Sequence, residues 1–306
     1  MCRHLAYLGP PVSLRSLLYD PPYGLLRQSW VPRDMRGGGT INADGFGIGW
    51  YPGGGGDPVR YRRAQPLWSD TTLPELAAVT VAGAVLAAVR SATVGMPVQE
   101  TAAAPFAEGR WLFSHNGVVR GWPDAVVPLA AELPVRDLLT LDAPTDAALL
   151  WALVRHRLRA GEDPAAAVAA TVAAVSAAAP GSRLNLLLTD GETVVASVAG
   201  HALSLRRTPG SVVLASEPLD DDPGWRAVPE GRLVVATATG VHSRDWSADA
   251  DVSISQPEGT AHERGATGDL PGGAGPRPRP AGGRPARADG AAEVAAAEMV
   301  LRRARQ

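Results

Sequence analysis

Residues 1–11 read Met1-Cys2-Arg3-His4-Leu5-Ala6-Tyr7-Leu8-Gly9-Pro10-Pro11, so the only cysteine of the chain follows the initiator methionine and heads an apolar run. His4 to Leu8 predict a strand, and Gly9-Pro10-Pro11 are expected to end it. Aminopeptidase removes an initiator Met when the next residue is small, which would leave Cys2 first, with its α-amine free. Such an amine titrates at about 7.7–8.0. It can therefore take the thiol proton directly or through water, activating the nucleophile without a histidine. Position alone favours a small buried thiol. The rest of the chain has to decide between them.

Ser114-His115-Asn116-Gly117 supplies what a thiol attacking an amide needs next. A side-chain amide and an unshielded glycine N–H follow the strand predicted from Trp111 to Ser114, and donors of this kind stabilise a tetrahedral oxyanion. Asn-Gly is also common as a plain turn. Arg90 ends an apolar strand, Ala84 to Val89, in the run Arg90-Ser91-Ala92-Thr93. Core packing accounts poorly for a guanidinium there; a bidentate clamp on a carboxylate accounts for it well. Asp146 follows Thr145 at a helix start, where the helix dipole alone favours an acid.

In chain order, Cys2, Arg90-Ser91-Ala92-Thr93, His115-Asn116-Gly117 and Thr145-Asp146 resemble the class II glutamine amidotransferase domain of the N-terminal nucleophile hydrolases. The resemblance implies an α+β fold, the four-layer αββα sandwich, over residues 2–250. It implies Cys2 as nucleophile, Asn116 and Gly117 as oxyanion donors, Arg90 on the substrate's α-carboxylate and Asp146 on its α-ammonium. Thr93 and His115 are added as substrate contacts. The family often has Ala-Thr-His-Gly where this chain has Ala92-Thr93-Val94-Gly95, so that histidine's role is not carried over. Leu26 to Ser29, Asn42 to Gly47, Leu67-Trp68 and Val89 to Pro97 narrow the resemblance further. They point to the branch that removes glutamate from a histidine-betaine conjugate in the ergothioneine pathway. A quaternary ammonium suits aromatic faces, which makes Trp30, Trp50, Tyr51 and Trp68 candidates, with Arg27, Arg33 and Arg36 for anionic groups. Two alternatives stay open: a glutaminase subunit feeding ammonia to a partner synthase, and a thiol-based sensor or binding module.

Composition bounds the rest. The chain has 306 residues, a formal net charge of −2 and 29 basic residues, all arginine. Near-neutral charge argues against a nucleic-acid partner. One cysteine excludes an internal disulfide framework and a CxxC zinc site. Nothing beside His115 completes a metal site, so neither metal nor cofactor is expected. The Ala-rich stretch from Ala165 to Ala179 is too short and too weakly apolar to span a bilayer, and residues 1–11 lack the pattern of a signal peptide. The expectation is a cytoplasmic protein with a small-molecule substrate and no obligatory partner protein; the sequence leaves its oligomeric state open. Helices are predicted after Ser13, over Thr72 to Val79, from Thr145 and from Asp163-Pro164 to Ala179. Strands are predicted at Phe46 to Tyr51, Val59 to Arg63, Asn185 to Leu188, Thr193 to Val198, Val212 to Ala215 and Leu233 to Ala236. Residues 251–288 read as a linker, because 11 of the 20 residues from Pro271 to Gly290 are Gly or Pro and cannot build a core. Residues 289–306 read as a final helix capped by Asp289. Deleting everything after residue 265 should leave hydrolase activity within tenfold of the full chain; loss of folding would place the final helix in the domain.

Overall fold

Alternation along the first strand decides the layering. Leu5 and Tyr7 pack beneath short helices, while Ala6 and Leu8 enter a second apolar layer, as the period of two in an extended chain requires. A computed structural model describes residues 2–35, 41–53, 55–247 and 251–253. The strands in chain order are Arg3–Ser13 (β1), Phe46–Trp50 (β2), Val59–Arg63 (β3), Val81–Val89 (β4), Phe106–Glu108 (β5), Trp111–Val118 (β6) and Arg183–Thr189 (β7). They continue as Thr193–Ser197 (β8), Ser204–Thr208 (β9), Ser211–Ala215 (β10), Arg226–Ala227 (β11), Arg232–Thr237 (β12), Val241–Asp245 (β13) and Asp251–Ser253 (β14). One sheet has the order β11-β9-β10-β1-β4-β2-β3; the other runs β14-β13-β12-β8-β7-β6-β5.

Three apolar layers hold these sheets. Leu8, Leu86, Val212 and Leu214 of the first sheet meet Leu112, Leu187, Val194 and Val234 of the second. The outer face of the first sheet is covered by Leu14, Leu17 and Leu18 of helix Leu14–Leu18 and by Leu73 and Ala77 of helix Leu73–Val79. Helices Asp146–Arg159 and Pro164–Ala178 cover the second sheet through Leu149, Leu150, Trp151, Val154, Val168 and Val172. The result is the αββα sandwich, each layer burying the one apolar face of its neighbour.

The local signals account for most boundaries. Ser13, Thr145 and Asp163 each accept a backbone N–H of the following helix, from Ser16, Ala148 and Ala166, as side-chain caps do. Thr72 makes no such bond; Asp70 accepts from the amides of Thr72 and Leu73 instead. Gly9-Pro10-Pro11 does not end β1. The strand shifts register between Leu8 and Val12 and pairs again at Val12↔Ala82, so the prolines are carried in an irregularity where no ladder donor is needed. Strands β5, β9, β11 and β13 were not anticipated from the sequence; each is short or mixed in polarity. Asp251–Ser253 pairs with β13, which carries the sheet three residues past the boundary expected at 250. The chain divides into units 1–256 and 257–306, and the remainder of the expected linker and the helix over 289–306 lie outside the described residues.

Strand β6 runs on through His115, Asn116 and Gly117 to Val118, paired with β7 over Leu112↔Thr189 to Val118↔Arg183. Gly117 has no room for a side chain. A Cβ there would lie 1.8 Å from the Arg183 carbonyl oxygen and 2.6 Å from His115 Nε2. Backbone cannot give way as a flexible side chain can, so Gly117→Ala should cost at least about 3 kcal/mol of stability. A denaturation midpoint equal to wild type would contradict this close approach.

Candidate active site

The site forms where the layer between the sheets changes from apolar to polar at one end. His4 continues the inward face of β1, Ser114 and Asn116 that of β6, and Ser216 follows β10. All four are buried. The Ser216 hydroxyl accepts from the His4 amide at 2.9 Å and from Asn116 Nδ2 at 3.1 Å, and donates to the His4 carbonyl at 3.3 Å. It thus ties the strand of Cys2 to the strand of Asn116. His4 Nδ1 lies 3.2 Å from Ser114 Oγ. Burial holds the His4 imidazole down to about 3, and His115, His201 and Arg3 push the same way. At working pH it is therefore a neutral brace between the sheets.

Cys2 is free and half-buried, with its Sγ 3.8 Å from the Ser91 carbonyl. A cavity lies against it, lined among others by Arg90, Thr93, Met96, His115, Gly117 and Asp146. Register explains the meeting: Arg3 pairs with Val89, so Cys2 and Arg90 leave adjacent strand ends side by side. Six of the seven residues singled out in the sequence, Cys2, Arg90, Thr93, His115, Gly117 and Asp146, therefore share one cavity. The seventh, Asn116, is directed to the inner seam, where its Oδ1 is buried and has no partner among the described residues.

Arg90 is 9% exposed; its Nη1 donates to the carbonyls of Pro97 at 2.8 Å and Asp44 at 3.4 Å. No carboxylate pairs with it among the described residues. A buried cation held only by carbonyls is under-compensated, and an incoming carboxylate would complete it. Asp44, left undecided between turn and site by the sequence, braces this segment: its Oδ2 accepts from the Ala92 amide at 2.8 Å, and its own amide donates to the Arg90 carbonyl. Gly45 takes φ +126° in that turn, which needs glycine.

Asp146 accepts from the Val119 amide at 3.0 Å and from Ala147 at 2.8 Å, joining the helix start to the end of β6. His115 Nε2 lies 2.9 Å from the Arg183 carbonyl. A carbonyl only accepts, so Nε2 carries the hydrogen and Nδ1 is left as an acceptor. Val94, standing where the family often has histidine, is fully exposed.

The aromatic candidates are elsewhere. Trp30 and Trp68 pack edge to face at 5.7 Å, Trp50 packs on the outer face of the first sheet, and the Tyr51 hydroxyl meets the carbonyls of Arg110 and Thr189. None of them lines this cavity. Arg36 lies outside the described residues. Ser216 was missed as a site residue, because a serine at a strand end carries no signal of its own in one sequence; Ser91 was quoted only as part of the run after Arg90. Among the described residues no group of three or more His, Cys, Asp or Glu could hold a metal ion, and no helix is long and apolar enough to cross a membrane.

Comparison with known proteins places this chain in a class. The class-II glutamine amidotransferases match residues 28–211, a span that holds Arg90, Thr93, His115, Asn116, Gly117 and Asp146 but not Cys2. The chain belongs to that family. Within it, gamma-glutamyl-hercynylcysteine sulfoxide hydrolase of Mycolicibacterium smegmatis is 44% identical over 235 residues, 76% of this chain and 95% of that one. The hydrolase of the same name from Mycobacterium tuberculosis is 43% identical over 242 residues, 79% of this chain and 95% of its own. Among solved structures, a glutamine aminotransferase class-II domain protein from Silicibacter pomeroyi superposes with a TM-score of 0.58 at 26% identity, covering 80% of this chain and 99% of that one. Glutamine phosphoribosylpyrophosphate amidotransferase from B. subtilis shares the fold, with a TM-score of 0.60 at 17% identity over 81% of this chain and 50% of its own.

His4 also makes a pH prediction. The unfolded chain has an ordinary imidazole near pH 6.5, while the folded value is about 3. As pH falls between these, the unfolded state binds the proton first and stability drops. The thermal midpoint should fall more steeply from pH 7 to 4 in wild type than in His4→Gln; parallel curves would contradict a neutral His4.

Proposed function

We propose that the chain hydrolyses the γ-glutamyl amide of γ-glutamyl-hercynylcysteine sulfoxide, releasing glutamate through a thioester on Cys2. The observation that carries the reading is one cavity against Cys2 that is lined by both Asp146 and an Arg90 without a carboxylate partner among the described residues. A γ-glutamyl group ends in an α-carboxylate and an α-ammonium, and these two side chains complement that pair. Near-complete coverage of the hydrolases of that name supports the leaving group.

With Met1 removed, the α-amine of Cys2 takes the thiol proton, and the thiolate attacks the δ-carbonyl. The developing oxyanion accepts from the Gly117 amide and from the second hydrogen of Asn116 Nδ2, the first being held by Ser216. The C–N bond then breaks as the α-ammonium of Cys2 returns its proton to the departing amine. Water, deprotonated by the same amine, adds to the thioester; collapse expels the thiolate and releases glutamate. Every proton is carried by one group, and the reaction needs no partner protein as ammonia acceptor. Losing one oxyanion donor costs about 10²–10³ in turnover, so Asn116→Ala acts on kcat.

The substrate is tested by comparing kcat/KM on the conjugate with that on glutamine. At least about 100-fold preference is expected, equivalent to about 2.7 kcal/mol of differential transition-state binding; equal values would make the protein a general glutaminase. Arg90→Lys should raise KM at least about tenfold on both, because an ammonium lacks the planar fork. An unchanged KM would remove Arg90 from the carboxylate.

A further inference from the structure

We propose that Ser216 is a positioning residue: it sets the orientation of the Asn116 carboxamide, so that an N–H and not the carbonyl oxygen meets the oxyanion. This rests on the oxyanion role proposed above for Asn116 and names the group that makes it a donor. Among the described residues the Asn116 side chain has one hydrogen-bond partner, Ser216, whose Oγ accepts from Nδ2 at 3.1 Å. The cross-strand neighbour Asn185 offers no alternative. Its Oδ1 accepts from the amides of Ala199 and His201 at 2.9 and 3.2 Å, and its Nδ2 donates to the carbonyls of His201 and Ala202 at 3.0 and 3.2 Å. Solvent offers none either, since Asn116 and Ser216 are only 1% and 3% exposed.

A serine hydroxyl has one hydrogen to give and two lone pairs to receive with. The hydrogen of Ser216 goes to the His4 carbonyl at 3.3 Å, and one lone pair takes the His4 amide at 2.9 Å. What remains is a single lone pair, and only an N–H satisfies it. Asn116 therefore presents Nδ2 there and keeps a second hydrogen on that nitrogen for the substrate. Turned over about its last bond, the carboxamide would bring Oδ1 to the same place. Ser216 would have to withdraw its hydrogen from the His4 carbonyl to meet it, and a carbonyl oxygen would face the developing negative charge. The same side chain is thus a donor in one orientation and a repulsive acceptor in the other. Nothing on the oxygen side holds the choice, because Oδ1 is buried and without a partner among the described residues; the bond to Ser216 holds it alone. The clasp that aims Ser216 is itself fixed. Its amide donates to the His4 carbonyl at 3.0 Å, and His4 Nδ1 lies 3.2 Å from Ser114 Oγ, on the strand that carries Asn116.

Ser216→Ala removes the acceptor and frees the carboxamide to turn. Because the oxyanion is common to both substrates, kcat should fall at least about tenfold on glutamine and on the conjugate alike. KM should stay within about twofold, since Arg90 and Asp146 line the other cavity and are untouched. Losing a buried hydroxyl lowers the thermal midpoint whatever its role, so the deciding readout is a double-mutant cycle with Asn116→Ala. In the Asn116→Ala background, Ser216→Ala should cost less than about twofold in kcat, because its effect runs through the carboxamide that is gone. Ser216→Cys fills the same space with a weaker acceptor; it should lose kcat in the same direction and carries the test if the alanine variant does not fold. Wild-type kcat in Asn116→Ala overturns the oxyanion role and this proposal with it. A large loss in Asn116→Ala beside wild-type kcat in the Ser216 variants, losses that multiply in the double variant, or a loss confined to KM overturns the role of Ser216 alone.

Discussion

Arg3 pairs with Val89, and that register position sets the geometry of the site. It brings the head of β1 to the end of β4, so the residue before Arg3 meets the residues after Val89. A slip of one residue would turn every side chain of β1 to the other face, placing Leu5 against the second sheet and His4 under the helices. Burial opposes it, because His4 would leave its partners Ser114 and Ser216 for the apolar layer under the helices. Cys2 is thus positioned by the cores on either side of the strand it heads. The second sheet is fixed as firmly, since the contact between Gly117 and the Arg183 carbonyl allows one residue type only.

Two buried arginines at this seam differ in how their charge is compensated. Arg3 donates to the Cys2 carbonyl at 3.1 Å; burial pulls its guanidinium down, and Glu217 and Asp34 work against that. Its role is to hold the start of β1. Arg90 meets carbonyls alone. Leaving a charge buried and unpaired costs several kcal/mol, and the fold places that cost at a cavity, where the carboxylate of the proposed substrate would remove it. The same contrast separates Asp70, whose carboxylate caps helix Leu73–Val79, from Asp146, which caps its own helix and also lines the cavity.

How much of this was legible in the sequence followed from signal type. Long periodic segments with capping residues were readable, as at Thr145 and Asp163, because cap and period agree there. Candidate site residues stood out where unusual residues interrupt apolar strands: Arg90 after Ala84 to Val89, and Asn116-Gly117 after Trp111 to Ser114. Short edge strands such as β5 and β11 carry too few residues for a period to appear. The continuation of β1 through Gly9-Pro10-Pro11 was hidden because turn residues were read without knowing that pairing resumes at Val12. Asp44 and Ser216 act through partners 48 and 100 residues away, and local pattern holds no record of such distances. The aromatic candidates failed for a related reason: their apolar surface packs the sandwich or its margins.

The central claim is that Cys2, as the first residue of the mature chain, carries the glutamyl group. Acid-quenching the enzyme during turnover of the conjugate, then mapping peptides by mass, tests it directly. The account predicts an N-terminal peptide that begins at Cys2 and bears one glutamyl group on its sulfur. A fully active enzyme that retains Met1, or a glutamyl group on any other residue, would contradict it.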